Sequence, residues 1–144
     1  MIALDTNILV FARREETPFH RDAVRLLREF ATGSEPWAIP WPCIYEFLRV
    51  VTHPRVFDPA TPLDAALEDL GRLLESPSLS LLGEGPTHPS HLARTLRTGG
   101  VSGNLVHDGH IAALCIEHGV RVMLTADRDF TRFAPLQVRN PFAG

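Results

Sequence analysis

Short apolar runs alternate with longer amphipathic segments along the chain. The runs "IAL", "PWAIP", "LSLLG" and "VRVMLT" predict four short strands, at residues 2–4, 36–40, 79–83 and 120–125. Between them, apolar residues at helical spacing predict helices at 7–14, 17–33, 41–54, 61–76, 87–100 and 104–119, and then a turn into a short helix at 126–134. This alternation favours an α/β fold in which helices cover both faces of a mainly parallel sheet. The length of 144 residues fits one domain, residues 1–144.

The segment 61–76 is the clearest amphipathic helix. Its apolar positions fall on one side of the helix: Leu63, Ala66, Leu67, Leu70, Leu73 and Leu74. Glycines at 33, 99–100 and 119 mark the ends of other helices. The glycine-rich segment 97–104 is interpreted as a linker between helices rather than a phosphate-binding loop.

Composition indicates an ordinary globular protein, because 44% of residues are hydrophobic and 22% are charged. The longest apolar runs fall well short of the roughly 20 residues that span a bilayer. The N-terminus carries no basic segment followed by an apolar stretch and a cleavage site. A cytoplasmic protein without membrane contact is therefore expected.

Charge and cysteine usage narrow the chemistry. The net charge of −3 argues against a protein that coats nucleic acid by bulk attraction. All 14 basic residues are arginine, which excludes a P-loop lysine and Schiff-base catalysis but suits bidentate contacts to phosphate. Cys43 and Cys115 lie in apolar stretches and are expected to be buried free thiols.

Four acidic residues occupy unusual positions. Asp5 and Asp127 directly follow predicted strands, so both are expected at the carboxyl edge of the sheet, where α/β folds bind ligands. Asp108 and Glu46 lie on helix rows that are otherwise apolar. Because an isolated carboxylate that faces a core is unfavourable, convergence of the four would explain all of them together.

Each acid also has an ordinary structural explanation. Asp5 could cap a helix. Glu46 could reach the surface or pair with Arg49, and Asp108 could be a first-turn acid that the helix dipole favours. Asp127 and the nearby Asp129 could be turn-forming residues. If they converge instead, their repulsion would be relieved by a divalent cation, and ligands that are all oxygen favour Mg²⁺ or Mn²⁺.

Five segments resemble one family in order and spacing: "MIALDTNILV", "IYEFLRVVTHPRVF", "GNLVHDGHIAALCIEHG", "TADRDFTRF" and "RNPF". On these motifs the chain is similar to PIN-domain ribonucleases of the VapC toxin type, from Met1 nearly to Gly144. The resemblance implies a PIN-like three-layer α/β/α sandwich. It also implies a Mg²⁺- or Mn²⁺-dependent endoribonuclease that cuts tRNA or ribosomal RNA, a homodimer, and a cognate VapB antitoxin whose tail occupies the acidic groove.

The resemblance assigns roles to individual residues. The catalytic acids matched to the family are Asp5, Glu46, Asp108 and Asp127. The expected metal ligands are Asp5, Asp108, Asp127 and Asp129. Small polar residues expected to orient the acids are Thr6, Asn7 and Thr125. Arginines placed near RNA phosphates by their position are Arg94, Arg97, Arg128 and Arg132.

Other functions fit the sequence less well. His107, His110 and His118 suggest a zinc site on one helix, but no clear zinc spacing is present. Phosphoryl transfer to aspartate, as in receiver domains, would need a late lysine that this chain lacks. Serine hydrolase chemistry has no G-x-S-x-G motif to support it. A catalytically silent module that binds RNA or protein is the remaining alternative, and loss of one of the four acids would be its mark.

Overall fold

A computed structural model describes residues 1–143, in which five parallel strands form one sheet. The strands are β1 (Ile2–Leu4), β2 (Trp37–Pro40), β3 (Leu79–Leu82), β4 (Val122–Leu124) and β5 (Gln137–Arg139). The helices are α1 (Thr6–Arg13), α2 (His20–Thr32), α3 (Trp41–Val51), α4 (Leu63–Leu74), α5 (His88–Gly99) and α6 (Leu105–Glu117), with a 3-10 helix at Arg128–Arg132. The strand order is β3-β2-β1-β4-β5. This architecture confirms the predicted three-layer α/β/α sandwich around a parallel sheet.

The centre of the sheet determines where the acidic residues meet. β1 lies between β2 and β4, and it pairs with β4 in the register Ile2 to Val122 and Leu4 to Leu124. The backbone N–H of Asp5 continues this pairing by donating to the Leu124 carbonyl oxygen at 3.1 Å. The chain segments that leave β1 and β4 therefore emerge side by side at one edge of the sheet.

The inner strands are buried because helices pack on both faces of the sheet. Ala3, Leu4 and Ala38 are fully inaccessible to solvent, and so is Trp37. The Trp37 indole N–H is satisfied inside the core by the Ser76 hydroxyl at 3.2 Å. Continuous apolar strands of this kind are characteristic of parallel sheets that are covered on both faces.

The fifth strand was not predicted from the sequence. β5 (Gln137–Arg139) is an edge strand with a single apolar residue, Val138, so it presents no apolar run. It forms a strand because it pairs with β4, in the register Met123 to Val138, and this pairing cannot be predicted from its own sequence.

The apolar side of α4 is only partly used by the core. Ala66 is fully buried and Leu73 is 8% exposed, but Leu63, Leu67 and Leu74 are 58%, 44% and 53% exposed. The predicted amphipathic helix is present, yet three of its five leucines face outward. Within residues 1–143, no helix is long and apolar enough to cross a membrane.

Two helical glycines differ sharply in their surroundings. A Cβ added at Gly99 would lie 2.5 Å from the buried Phe133 ring, whereas a Cβ at Gly71 in α4 would meet nothing within 4 Å. We expect Gly99→Ala to lower the free energy of unfolding by about 1–3 kcal/mol, because the added methyl group would force the fully buried Phe133 ring to shift. Gly71→Ala should raise it by about 0.5–1 kcal/mol through helix propensity. Urea unfolding of both variants tests this, and equal stability of the two would contradict the packing described here.

Candidate active site

A pocket opens at the carboxyl edge of β1 and β4, where the first turns of α1 and α6 meet α3 and the 3-10 helix. The residues that line it are Asp5, Thr6, Asn7, Val10, Phe11, Glu46, Val50, Asp108, Asp127 and Phe130. All four acids that the sequence singled out are in this set. The pocket therefore gathers carboxylates from four separate segments of the chain.

Asp5 is the most buried of these acids, with 5% of its surface exposed. It is the N-cap of α1, and its Oδ1 accepts the Thr6 backbone N–H at 2.7 Å. The Cys43 thiol lies 3.5 Å from the same oxygen. Oδ2 accepts the Thr125 hydroxyl at 2.7 Å and the Asn7 amide at 3.3 Å. The capping explanation and the site explanation thus both hold for this residue, because one oxygen caps the helix while the carboxylate borders the pocket.

The Thr125 hydroxyl links the two strand ends. It donates to Asp5 and accepts the Asn7 amide N–H and the Asp127 backbone N–H, each at 3.0 Å. Asn7 in turn accepts the Ala126 N–H at 3.4 Å. Thr125 and Asn7, which the sequence suggested as orienting residues, therefore connect Asp5 directly to the turn that carries Asp127.

Glu46 lies at the exposed border of the pocket. Its row on α3 includes the buried Cys43, but the Glu46 side chain is 46% exposed. It accepts the Thr6 hydroxyl at 3.3 Å and lies 3.9 Å from the Arg49 guanidinium. The sequence left open that Glu46 reaches the surface or pairs with Arg49, and its exposure and its separation from Arg49 agree with that alternative, while its side chain also borders the pocket.

Three of the acids are near enough to share one ion. Oxygen atoms of Asp108, Asp127 and Asp129 all lie within 4.8 Å of one another. Asp127 caps the 3-10 helix by accepting the Asp129 N–H at 2.9 Å, so the turn-forming explanation is correct for its backbone role. Asp5, the fourth expected metal ligand, lines the same pocket but lies outside this close group.

Burial and repulsion together disfavour ionisation of this cluster. Burial, and then the charges of Asp127, Asp5, Asp129 and Glu46, raise the pKa of Asp108 to about 6. Burial also raises the pKa of Asp5, although hydrogen bonds from Thr125, Thr6 and Cys43 oppose that shift. A divalent cation would relieve the repulsion, and the carboxylate oxygens fit Mg²⁺ or Mn²⁺ better than a softer metal.

The four arginines suggested for RNA contact are all exposed. Arg128 lies between Asp127 and Asp129 in the chain, and Arg132 is at the other end of the same 3-10 helix. Arg94 and Arg97 lie on α5, whose last residue, Gly99, approaches the Phe133 ring that follows the 3-10 helix.

Sequence reasoning treated Cys43 only as a buried thiol. The structure places it beside the Asp5 carboxylate, and burial and the charge of Asp5 both raise the pKa of the Cys43 thiol. The thiol therefore remains protonated and acts as a weak donor. Its position three residues after β2 offered no signal, because nothing local in the sequence links it to Asp5.

Comparison with known proteins relates the whole chain to one family. A family model described as the PIN domain matches residues 2–136. Ribonuclease VapC48 of Mycobacterium tuberculosis is 32% identical over 140 residues, covering 97% of each chain. Ribonuclease VapC43 of the same organism is 35% identical over 145 residues, covering 100% of this chain and 97% of the relative. A chain in the crystal structure of VapBC2 from Rickettsia felis, bound to a DNA fragment from their promoter, superposes with a TM-score of 0.65 at 21% identity, covering 97% and 98% of the two chains.

The raised pKa of Asp108 predicts that this residue affects the stability of the metal-free protein differently at low and high pH. Because the folded pKa of about 6 exceeds the ordinary 3.8, this carboxyl favours the folded state below about pH 4 and loses that contribution as the pH rises through about 6. Asp108→Asn should therefore stabilise the metal-free protein at about pH 8, by on the order of 1 kcal/mol after solvent screening, and have little effect at about pH 4. Urea unfolding with EDTA at both pH values measures the difference.

A matched control is Asp22→Asn. Asp22 is also a first-turn acid, in α2, but it lies 3.7 Å from the Arg25 guanidinium. Its loss should lower stability slightly at about pH 8, by roughly 0.3–1 kcal/mol at most, since it removes a favourable dipole contact. If Asp108→Asn destabilised the metal-free protein to the same degree, electrostatic strain at Asp108 would be excluded.

Proposed function

Because the chain belongs to the PIN-domain family and its close relatives are VapC ribonucleases, we propose that it is a Mg²⁺- or Mn²⁺-dependent endoribonuclease, the toxin of a toxin–antitoxin pair. The single observation that carries this proposal is the presence of all four family acids in one pocket. A binding module derived from this fold would have no need to keep them together. Substrates of the tRNA or ribosomal RNA class and a cytoplasmic location complete the proposal.

We assign different roles to the acidic residues according to their surroundings. Asp108, Asp127 and Asp129 would hold the cation, with Asp5 completing the set from the pocket floor. When bound, such a cation supplies charge neutralisation and lowers the pKa of a coordinated water that can attack phosphorus. Asp5 is suited to a fixed position because four donors restrain it.

Glu46 is suited to a different role. It lies at the open rim, and the Thr6 hydroxyl holds it at 3.3 Å. From there it could accept a proton from the attacking water or orient that water against a phosphodiester. Arg128, exposed beside the acids, would contact RNA phosphate, and so would Arg132, with Arg94 and Arg97 further along the strand.

The cognate antitoxin proposed for this chain is of the VapB type. The name VapBC2, carried by the superposing Rickettsia felis structure, motivates this partner. A basic segment of such an antitoxin would be attracted by the carboxylate pocket, and its tail would thereby exclude RNA. The antitoxin would also occupy the position of the cation or displace it.

Cleavage is expected to depend on Asp108. Asp108→Asn should lower the rate of RNA cleavage about 100-fold or more, since it removes one of three carboxylates that share the cation. The measurement is gel analysis of end-labelled tRNA and ribosomal RNA fragments incubated with protein and Mg²⁺ or Mn²⁺, with EDTA as the stop.

Asp22→Asn serves again as the control and should cleave like the original protein. Cleavage by Asp108→Asn at an undiminished rate would overturn the role of Asp108. If the original protein bound RNA but cut none of these substrates with either cation, the catalytically silent alternative would be correct.

A homodimer is proposed through the outward leucines of α4. Leu63, Leu67 and Leu74 are large, apolar and exposed on one helix, an arrangement that favours association with a second copy. Leu67→Asp should shift the protein from dimer to monomer at micromolar concentration, as measured by light scattering after size exclusion. Val56→Asp, at an exposed apolar residue in the loop after α3, should leave the dimer intact, and a monomer for the unsubstituted protein would refute the proposal.

A further inference from the structure

A second group of potential ligands lies outside the carboxylate pocket. It comprises Glu84 from the loop after β3, His88 from the first turn of α5, and His110 from α6. One ligand atom from each of the three lies within 4.8 Å of the other two. The two imidazole rings meet edge to face, with their centroids 5.4 Å apart. Three separate segments of the chain therefore bring two imidazoles and a carboxylate to one point.

His88 is fixed by a buried carboxylate. Its Nδ1 lies 2.7 Å from Oε1 of Glu117, and the two side chains are only 10% and 4% exposed. The other Glu117 oxygen accepts the Gly85 N–H at 2.6 Å. With Nδ1–H donated to Glu117, the lone pair of His88 is on Nε2. A carboxylate that orients a histidine in this way is the usual outer partner of a metal-binding imidazole.

The other two members remain accessible. His110 Nε2 lies 2.9 Å from Glu84 Oε1, and the side chains are 30% and 56% exposed. A tetrahedral zinc ion with bonds of about 2.0–2.1 Å holds its ligand atoms roughly 3.3 Å apart. The Glu84–His110 separation is already close to that value, and the exposed Glu84 carboxylate is free to adjust. The exposed side also provides an entry path and a position for water as fourth ligand.

We propose that Glu84, His88 and His110 bind a zinc ion, at a site separate from the carboxylate pocket and independent of the proposed nuclease function. Two imidazole nitrogens and one carboxylate oxygen suit zinc, whereas carboxylates alone suit magnesium. The ion would replace the hydrogen bond between Glu84 and His110 and tie the loop after β3 and the start of α5 to α6.

The two sites are separate, although each of them includes one residue of α6. Asp108 and His110 are two residues apart, and side chains at that spacing project in different directions from a helix. Asp108 joins Asp127 and Asp129, whereas His110 joins Glu84 and His88. One ion cannot therefore take ligands from both groups.

The zinc site considered from the sequence grouped His110 with His107 and His118, whereas the structure groups it with Glu84 and His88. His118, which directly follows α6, donates its Nε2–H to the Gly83 carbonyl oxygen at 2.7 Å. His107 is exposed one turn before His110. The partners found in the structure, Glu84 and His88, are more than twenty positions earlier in the chain, which no local zinc spacing would reveal.

The test is zinc titration of the full chain after chelator treatment, in millimolar Mg²⁺ so that the carboxylate pocket does not compete. We expect one zinc ion per chain, and cobalt substitution should give the strong visible bands of a tetrahedral site. His110→Ala and the surface variant Glu84→Gln should each weaken zinc binding at least 10-fold. Glu117→Gln, which loosens His88, should weaken it about 10–100-fold.

Matched controls use histidines one turn away on the same helices. His91→Ala on α5 and His107→Ala on α6 should bind zinc like the original protein, and so should Asp108→Asn. Failure of the original protein to bind zinc would overturn the proposal. Binding that survives His110→Ala and Glu84→Gln, or that disappears in Asp108→Asn, would also overturn it, because the ion would then belong to the carboxylate pocket.

Discussion

The parallel pairing of β1 with β4 is the constraint on which the pocket depends. It places the residues after Leu4 and after Leu124 beside each other, although about 120 positions separate them. Asp5, Thr125 and Asp127 then contact one another through a single hydroxyl group. A shift of one residue in this register would turn the side chains at the strand ends to the opposite face and separate them. The position of the acids is therefore a property of the sheet before it is a property of any loop.

Within this frame, opposing forces act on the carboxylates. Burial raises the pKa of Asp5, while donors from Thr125, Thr6 and Cys43 lower it. The pKa of the Asp108 carboxyl is raised to about 6 by burial and by its acidic neighbours, and no hydrogen-bond donors oppose that shift. The repulsion is therefore concentrated on the one acid carried by α6. A cation that relieves it would contribute to folding stability as well as to chemistry, since it would bind only the assembled cluster.

The sequence predicted the fold well because the inner strands and most helices have strong local patterns. Runs such as "IAL" and "VRVMLT" can be identified without tertiary information, whereas β5, with one apolar residue at a sheet edge, depends on pairing with β4. The convergence of the acids followed from strand topology for Asp5 and Asp127. The catalytic and metal-binding roles of these residues stay predictions.

Features that depend on contacts between distant segments could not be predicted from the sequence. The apolar helix row of Glu46 left open whether this residue faces the core or the surface, and only the position of the pocket shows why it is exposed. The Cys43 contact with Asp5 and the group around His88 have the same character. Periodicity reports which face of a helix is apolar, but it does not report where that face ends against the rest of the fold.

Helix α6 has both a buried apolar interior, which its sequence pattern predicts, and ligand residues whose partners come from distant segments. Its interior is nearly all apolar and buried from Ile111 to Cys115, which fixes the helix rigidly against the sheet. Its first two turns carry Asp108 toward one group of ligands and His110 toward another. Because the two groups differ in donor atoms, oxygen alone against nitrogen with oxygen, they would select different cations even in a mixture.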